Sequence, residues 1–167
     1  DKAGNVTYLS TDGAEYDTTA PVLYGIENGG VYHGDKAFKA MDDNFLKIEV
    51  DGVDITDTTE GDDEFKIVAD NAEHKVVVTD NAGNVTEYKV TVNKNYTVTY
   101  KADGESISTE TVGHGKDANL PSVPAKDGYV GKWDSDGKNI TGDTTITAVY
   151  TVIPVVKPDE VKPEDKT

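Results

Sequence analysis

Asp80-Asn81-Ala82-Gly83-Asn84-Val85-Thr86 decides how this chain is read, because Asp1-Lys2-Ala3-Gly4-Asn5-Val6-Thr7 spells almost the same motif at its start. A motif returning after about 80 residues marks tandem modules. The second copy runs into Glu87-Tyr88-Lys89-Val90-Thr91-Val92, where Tyr88, Val90 and Val92 alternate with Glu87, Lys89 and Thr91. That two-residue period suits a strand half buried on a sandwich core. Asp and Asn fold their side chains onto nearby backbone N–H groups and glycine takes the left-handed position, so hairpin closure alone accounts for the motif. The first copy is followed only by Tyr8, Leu9 and a turn-rich stretch, so residues 1–16 read as the last strand of a preceding, truncated repeat.

Working back from Val92, residues 17–93 are a succession of short β-rich runs. Phe38–Met41, Leu46–Val50, Glu64–Val68, Lys75–Thr79 and Thr86–Val92 each show alternation or β-branched enrichment, and no stretch reads as a long helix. Asp51-Gly52 between Val50 and Val53 signals a two-residue hairpin, whose central positions need positive φ. Phe38, Ile48, Val50, Phe65, Ile67, Val78 and Tyr88 are the expected core.

Forward of Val92, Asn93-Lys94-Asn95 is a short polar link into a different style of sequence. Tyr96–Lys101 alternates into Asp103-Gly104 and a second strand, Ser106–Val112, which predicts another hairpin. Leu120-Pro121-Ser122-Val123-Pro124 cannot be a central strand and reads as a covering or crossing connection. Gly128–Trp133 and a final strand, Thr144–Tyr150, complete a module over residues 95–151. Prolines recurring among Lys, Asp and Glu make 152–167 an extended spacer.

The chain has 167 residues, no cysteine, a formal net charge of -16, and lysine as its sole strongly basic residue. Disulfides and thiolate metal sites are excluded. A polyanionic partner is the wrong one: nucleic acid and anionic membranes need a basic face, usually with arginine forks. No window is apolar enough to span a bilayer, so this segment carries no membrane insertion.

Asp17-Thr18-Thr19-Ala20-Pro21 opening the first module and Asp80-Asn81-Ala82-Gly83-Asn84 before its last strand resemble the bacterial immunoglobulin-like repeats of large surface adhesins. The second module resembles the internalin B-repeat, or Listeria–Bacteroides repeat. Val98, Tyr100, Val112, Gly115-Lys116, Pro121, Pro124, Gly128-Tyr129, Trp133 and Ile146–Tyr150 carry that likeness. The implied fold class is all-β, an immunoglobulin-like β-sandwich followed by a small β-grasp-like module, in tandem. The first resemblance also implies calcium at module junctions, with Asp17 as the foremost ligand and Asp80 or Asp1 beside it; turn formation explains the same aspartates without a metal. No other cofactor is expected.

Tyr129 and Trp133 share a strand face and offer a binding platform for sugar rings, against which stands the usual fate of a small domain's only tryptophan, its core. His33, His74 and His114 show no triad or metal spacing, and paired acids such as Asp42-Asp43 point to opposite sides of a strand. No lysine–asparagine pair is marked out for an isopeptide bond. The chain is therefore expected to be non-catalytic: a monomeric stalk or adhesion segment of an extracellular, cell-surface or secreted bacterial protein. A glycan- or protein-binding module, engaging a host or extracellular partner, is the first alternative; an accessory region of a large surface glycosidase or protease is the second.

Overall fold

The computed structural model describes residues 17–59 and 64–155 and divides the chain into two compact units, Asp1–Lys94 and Asn95–Thr167. The expected orphan strand at 1–16 and the spacer beyond Val155 lie outside the described residues. Among the described residues the fold is all-β, and no helix is long and apolar enough to cross a membrane.

Unit 1 is built from β1 (Val22–Tyr24), β2 (Val31–His33), β3 (Lys36–Met41), β4 (Phe45–Val50), β5 (Val53–Asp54), β6 (Phe65–Ile67), β7 (Ala72–Asp80) and β8 (Val85–Asn93). They form a three-stranded sheet, β1-β3-β6, and a five-stranded sheet, β2-β8-β7-β4-β5. Alternation sends one face of each sheet inward. Leu23, Phe38, Phe65 and Ile67 meet Ile48, Val76, Val78, Val90 and Val92 in one buried cluster. The Phe38 and Phe65 rings pack with centroids 5.8 Å apart. Burying each such side chain contributes about 1.5–3 kcal/mol.

Five of the seven expected core residues are buried; Val50 and Tyr88 pack against the cluster from partly exposed positions. Leu23, Ile26 and Val76 belong to the core as well. β1 and β2 escaped the pattern because three residues are too few to display a period. Asp51 at φ 53° and Gly52 at φ 79° close the β4–β5 hairpin as expected, with Val50 opposite Val53.

Unit 2 contains β9 (Asn95–Ala102), β10 (Glu105–Gly113), β11 (Tyr129–Trp133) and β12 (Thr144–Val152) in the order β10-β9-β12-β11. β12 runs parallel to β9, while both outer pairs are antiparallel; this is the strand order of a β-grasp sheet. Val98, Tyr100, Val112, Ile140 and Ile146 form its core, with Tyr96, Ala118 and Trp133 packed against them. The β10–β11 connection is the expected non-strand crossing, and side chains fasten it. Glu110 accepts from the Tyr100 hydroxyl and, at 2.8 Å, from the Asn119 N–H. Trp133 Nε1 donates to the Pro121 carbonyl at 2.7 Å, and the Tyr150 hydroxyl to that of Pro124 at 2.9 Å. The final strand runs two residues past Tyr150, and the N–H of Ile153 still bonds Gly128 at 2.8 Å, so the start of the expected spacer is part of the sheet.

Candidate metal centre

The Asp80–Asn84 turn joins β7 to β8 and faces the opening of unit 1. Asp80 is fully buried, yet its carboxylate is satisfied: one oxygen accepts the Asn84 N–H at 2.8 Å, the other the Asn84 side-chain amide at 2.8 Å. Burial works against the charge, but these bonds and those from the Ala82 and Gly83 N–H groups outweigh it and hold the Asp80 pKa below its ordinary value. Gly83 sits at φ 92°, the left-handed position expected from the motif.

The same Asn84 amide also donates to the backbone carbonyls of Asp17 at 3.0 Å and Thr19 at 3.2 Å. Thr86 Oγ1 donates to the Pro21 carbonyl. The two motifs that the sequence places at opposite ends of the module therefore hold each other. Asp17 caps its own turn by accepting the Thr19 N–H at 2.9 Å, and its second oxygen accepts Asn44 Nδ2 at 2.9 Å.

Through these contacts Asp17 and Asp80 converge, and Asp42 joins them: one carboxylate oxygen from each lies within 4.8 Å of the other two. Two oxygens sharing one calcium stand at most about 5 Å apart, given bonds of about 2.3–2.6 Å, so the spacing fits that ion. The donors are all hard oxygens. The oxygens of Asp17 and the engaged oxygen of Asp42, each accepting one hydrogen bond, keep a second lone pair, whereas the turn's N–H groups and the Asn84 amide already crowd Asp80. Lys47, Lys75, Lys89 and Lys126 form ion pairs with Glu49, Glu87, Glu73 and Asp103, away from these three aspartates. An open groove of about 950 Å³, lined in part by Asp17, Asp42, Phe45 and Phe65, gives access from solvent.

Asp42 is the carboxylate that sequence reasoning set aside, as one of two neighbouring acids pointing to opposite sides of a strand. Its carboxylate accepts the Asn44 N–H at 2.7 Å, which bends the β3–β4 connection back toward Asp17. Asp1, the third aspartate named from the sequence, lies outside the described residues.

The other proposed site residues stand in β11. Trp133 packs on the unit 2 core, its ring centroid 5.4 Å from that of Tyr100 and its N–H spent on Pro121. Tyr129 is 39% exposed and packs edge-on against Tyr150, with Lys126 Nζ 5.2 Å from its ring centre. The pair therefore forms no shared exposed platform. None of the described lysines is buried, so none of them is placed for a core isopeptide bond.

Residues 96–152 match the family model of the Listeria-Bacteroides repeat domain, a span that coincides with β9 to β12. A comparison with curated proteins finds no match.

Proposed function

We propose that this chain is a non-catalytic stalk or adhesion segment of a bacterial cell-surface or secreted protein, with an immunoglobulin-like repeat as unit 1. The observation that carries the reading is the family match over unit 2, since that repeat is typical of bacterial surface or extracellular proteins. Support comes from the chain's build: two separate β units with only Lys94 between β8 and β9, and an acid-rich composition suited to an exposed, monomeric protein. Further support is the scatter of the histidines: His33 ends β2, His74 lies in β7 and His114 follows β10. The segment acts by holding neighbouring domains apart, without a nucleic-acid or bilayer partner.

Asp17, Asp42 and Asp80 would hold a calcium ion, whose charge would replace three-way carboxylate repulsion with a cross-link between the start of unit 1, the β3–β4 connection and the β7–β8 turn.

The test displays a binding domain on a cell through this segment or through a Gly/Ser linker of equal residue number, and assays the purified segment against mucins, polysaccharides and glycosidase and protease substrates. Reach retained only with the native segment, and no binding or turnover by the segment alone, is the expected outcome. Saturable binding to a glycan or host protein would replace the spacer reading with a binding module. Turnover would replace it with an enzyme.

A further inference from the structure

We propose that His74 is a proton-operated latch that sets how firmly the end of unit 1 grips the strand leading out of it. His74 is the third residue of β7, on the inward face, and is 8% exposed. Its Nδ1 lies 2.7 Å from Asp51 Oδ2 and its Nε2 3.0 Å from Asp70 Oδ1. Ionised carboxylates only accept hydrogen bonds, so both contacts are satisfied at once only by the doubly protonated imidazolium. A neutral ring turns its unprotonated nitrogen toward a carboxylate oxygen and loses that bond.

Each carboxylate belongs to a different element, and both are wired into the backbone. Asp51, in the β4–β5 turn, accepts the Lys75 N–H at 2.8 Å. Asp70, in the β6–β7 connection, accepts the Ala72 N–H at 2.9 Å. The N–H groups of Asp70 and Asn71 both donate to the Val92 carbonyl at 3.1 Å, and the N–H of Lys94 donates to Asn71 Oδ1 at 2.7 Å. The contacts thus run from the imidazolium through Asp70 and Asn71 to Val92 and Lys94, where the chain leaves unit 1.

The remaining charged groups around the ring are otherwise engaged. On β7, Glu73 and Lys75 alternate to the outer face, and across on β8 the partner of His74 is Val90. From β4, Glu49 pairs with Lys47. At the near end of the opposite sheet, Asp35 accepts the Ala69 N–H at 2.9 Å and Lys36 lies over Tyr32. Asp51 and Asp70 are the charges that act on His74.

Burial disfavours the charged ring, and the hydrogen bonds and charges of the two carboxylates more than offset it, raising the pKa above 6.5. The latch therefore stabilises unit 1 fully below that ordinary value and is lost as pH rises through the folded-state pKa. In functional terms, the exit strand is held tightly below the ordinary histidine pKa and loosens as pH rises through the raised folded-state value.

The test is NMR on the full chain, reading ¹⁵N shifts of the His74 ring and amide exchange, corrected for intrinsic rate, at Asn71 and Lys94. The expected result is a ring protonated on both nitrogens at pH 6.5, with exchange at Asn71 and Lys94 rising several-fold as it deprotonates. His74→Gln is expected to exchange fast at every pH, with no response to titration. Asp70→Asn, which keeps the side-chain shape, lowers the titration midpoint and supplies the same reading should His74→Gln fold poorly. A single neutral tautomer at pH 6.5 would overturn the proposal. So would Asn71 and Lys94 amides indifferent to the ring's titration.

Discussion

The side-chain amide of Asn84 lies 3.0 Å from the carbonyl oxygen of Asp17, sixty-seven positions earlier, while donating to buried Asp80 at 2.8 Å. One asparagine thereby joins the last hairpin of unit 1 to its first residues. Replacing it removes one bond from a buried carboxylate and one from each of two backbone carbonyls together. Asn84→Ala is expected to cost about 2–4 kcal/mol, as losses of buried hydrogen-bond networks do, read as a lower urea midpoint for unit 1. Asn81→Ala, which loses one short bond to the Asn44 carbonyl at an exposed site, is expected to cost about 1 kcal/mol or less.

Calcium should raise the melting temperature of unit 1 and leave unit 2 where it is, because the converging carboxylates all belong to unit 1. By mass action, metal at about 100 times its dissociation constant adds about 2.7 kcal/mol. Asp42→Asn removes a ligand without touching the Asn84 clasp, and is expected to abolish the calcium shift while preserving the metal-free stability within about 1 kcal/mol. An unshifted wild-type melt in calcium would rule out this centre.

Acid should act on the same turn by another route. Because the Asp80 pKa is lowered from 3.8, its contribution is complete above that value and is lost as pH falls through the lower folded-state pKa. In metal-free buffer, wild-type unit 1 should lose stability below about pH 4, where an unperturbed aspartate begins to protonate. Asp80→Asn, starting from a lower stability, should show a shallower acid limb in melts recorded across that range.

Trp133 is the only tryptophan, so its fluorescence reports on unit 2 alone. Trp133→Ala is expected to cost that unit about 3–5 kcal/mol, through lost contact with Tyr100 and a cavity in a small core. Trp133→Phe keeps much of the packing, loses the bond to Pro121 and should cost less. Backbone amide spectra of unit 1 should stay unchanged in both variants.

Much of this architecture was written in local pattern. β8 shows its buried face residue by residue, and the Asp51-Gly52 and Asp103-Gly104 turns adopt the positive φ values that their chemistry demands. β1 and β2 were illegible because their burial is set by partners far along the chain: β1 by β3, and β2 by a parallel pairing with β8. The acidic centre was half legible. Asp17 and Asp80 stood out through their motifs, whereas Asp42 looked like any acid in a polar turn until the β3–β4 connection brought it alongside. His74 gave no sign at all, since Asp51 is 23 residues away in sequence and the ring stands among charged neighbours.

In unit 2 the first strand and the last lie side by side and point the same way, Thr144 to Thr147 opposite Val98 to Lys101. A tug on the two ends of this module pulls β9 and β12 past each other lengthwise. Their connecting hydrogen bonds are then strained in shear and must yield together, whereas a hairpin opened from its free ends parts one bond at a time. A module pulled from its two ends is thus built to transmit tension, with the strength residing in the central pair of the sheet.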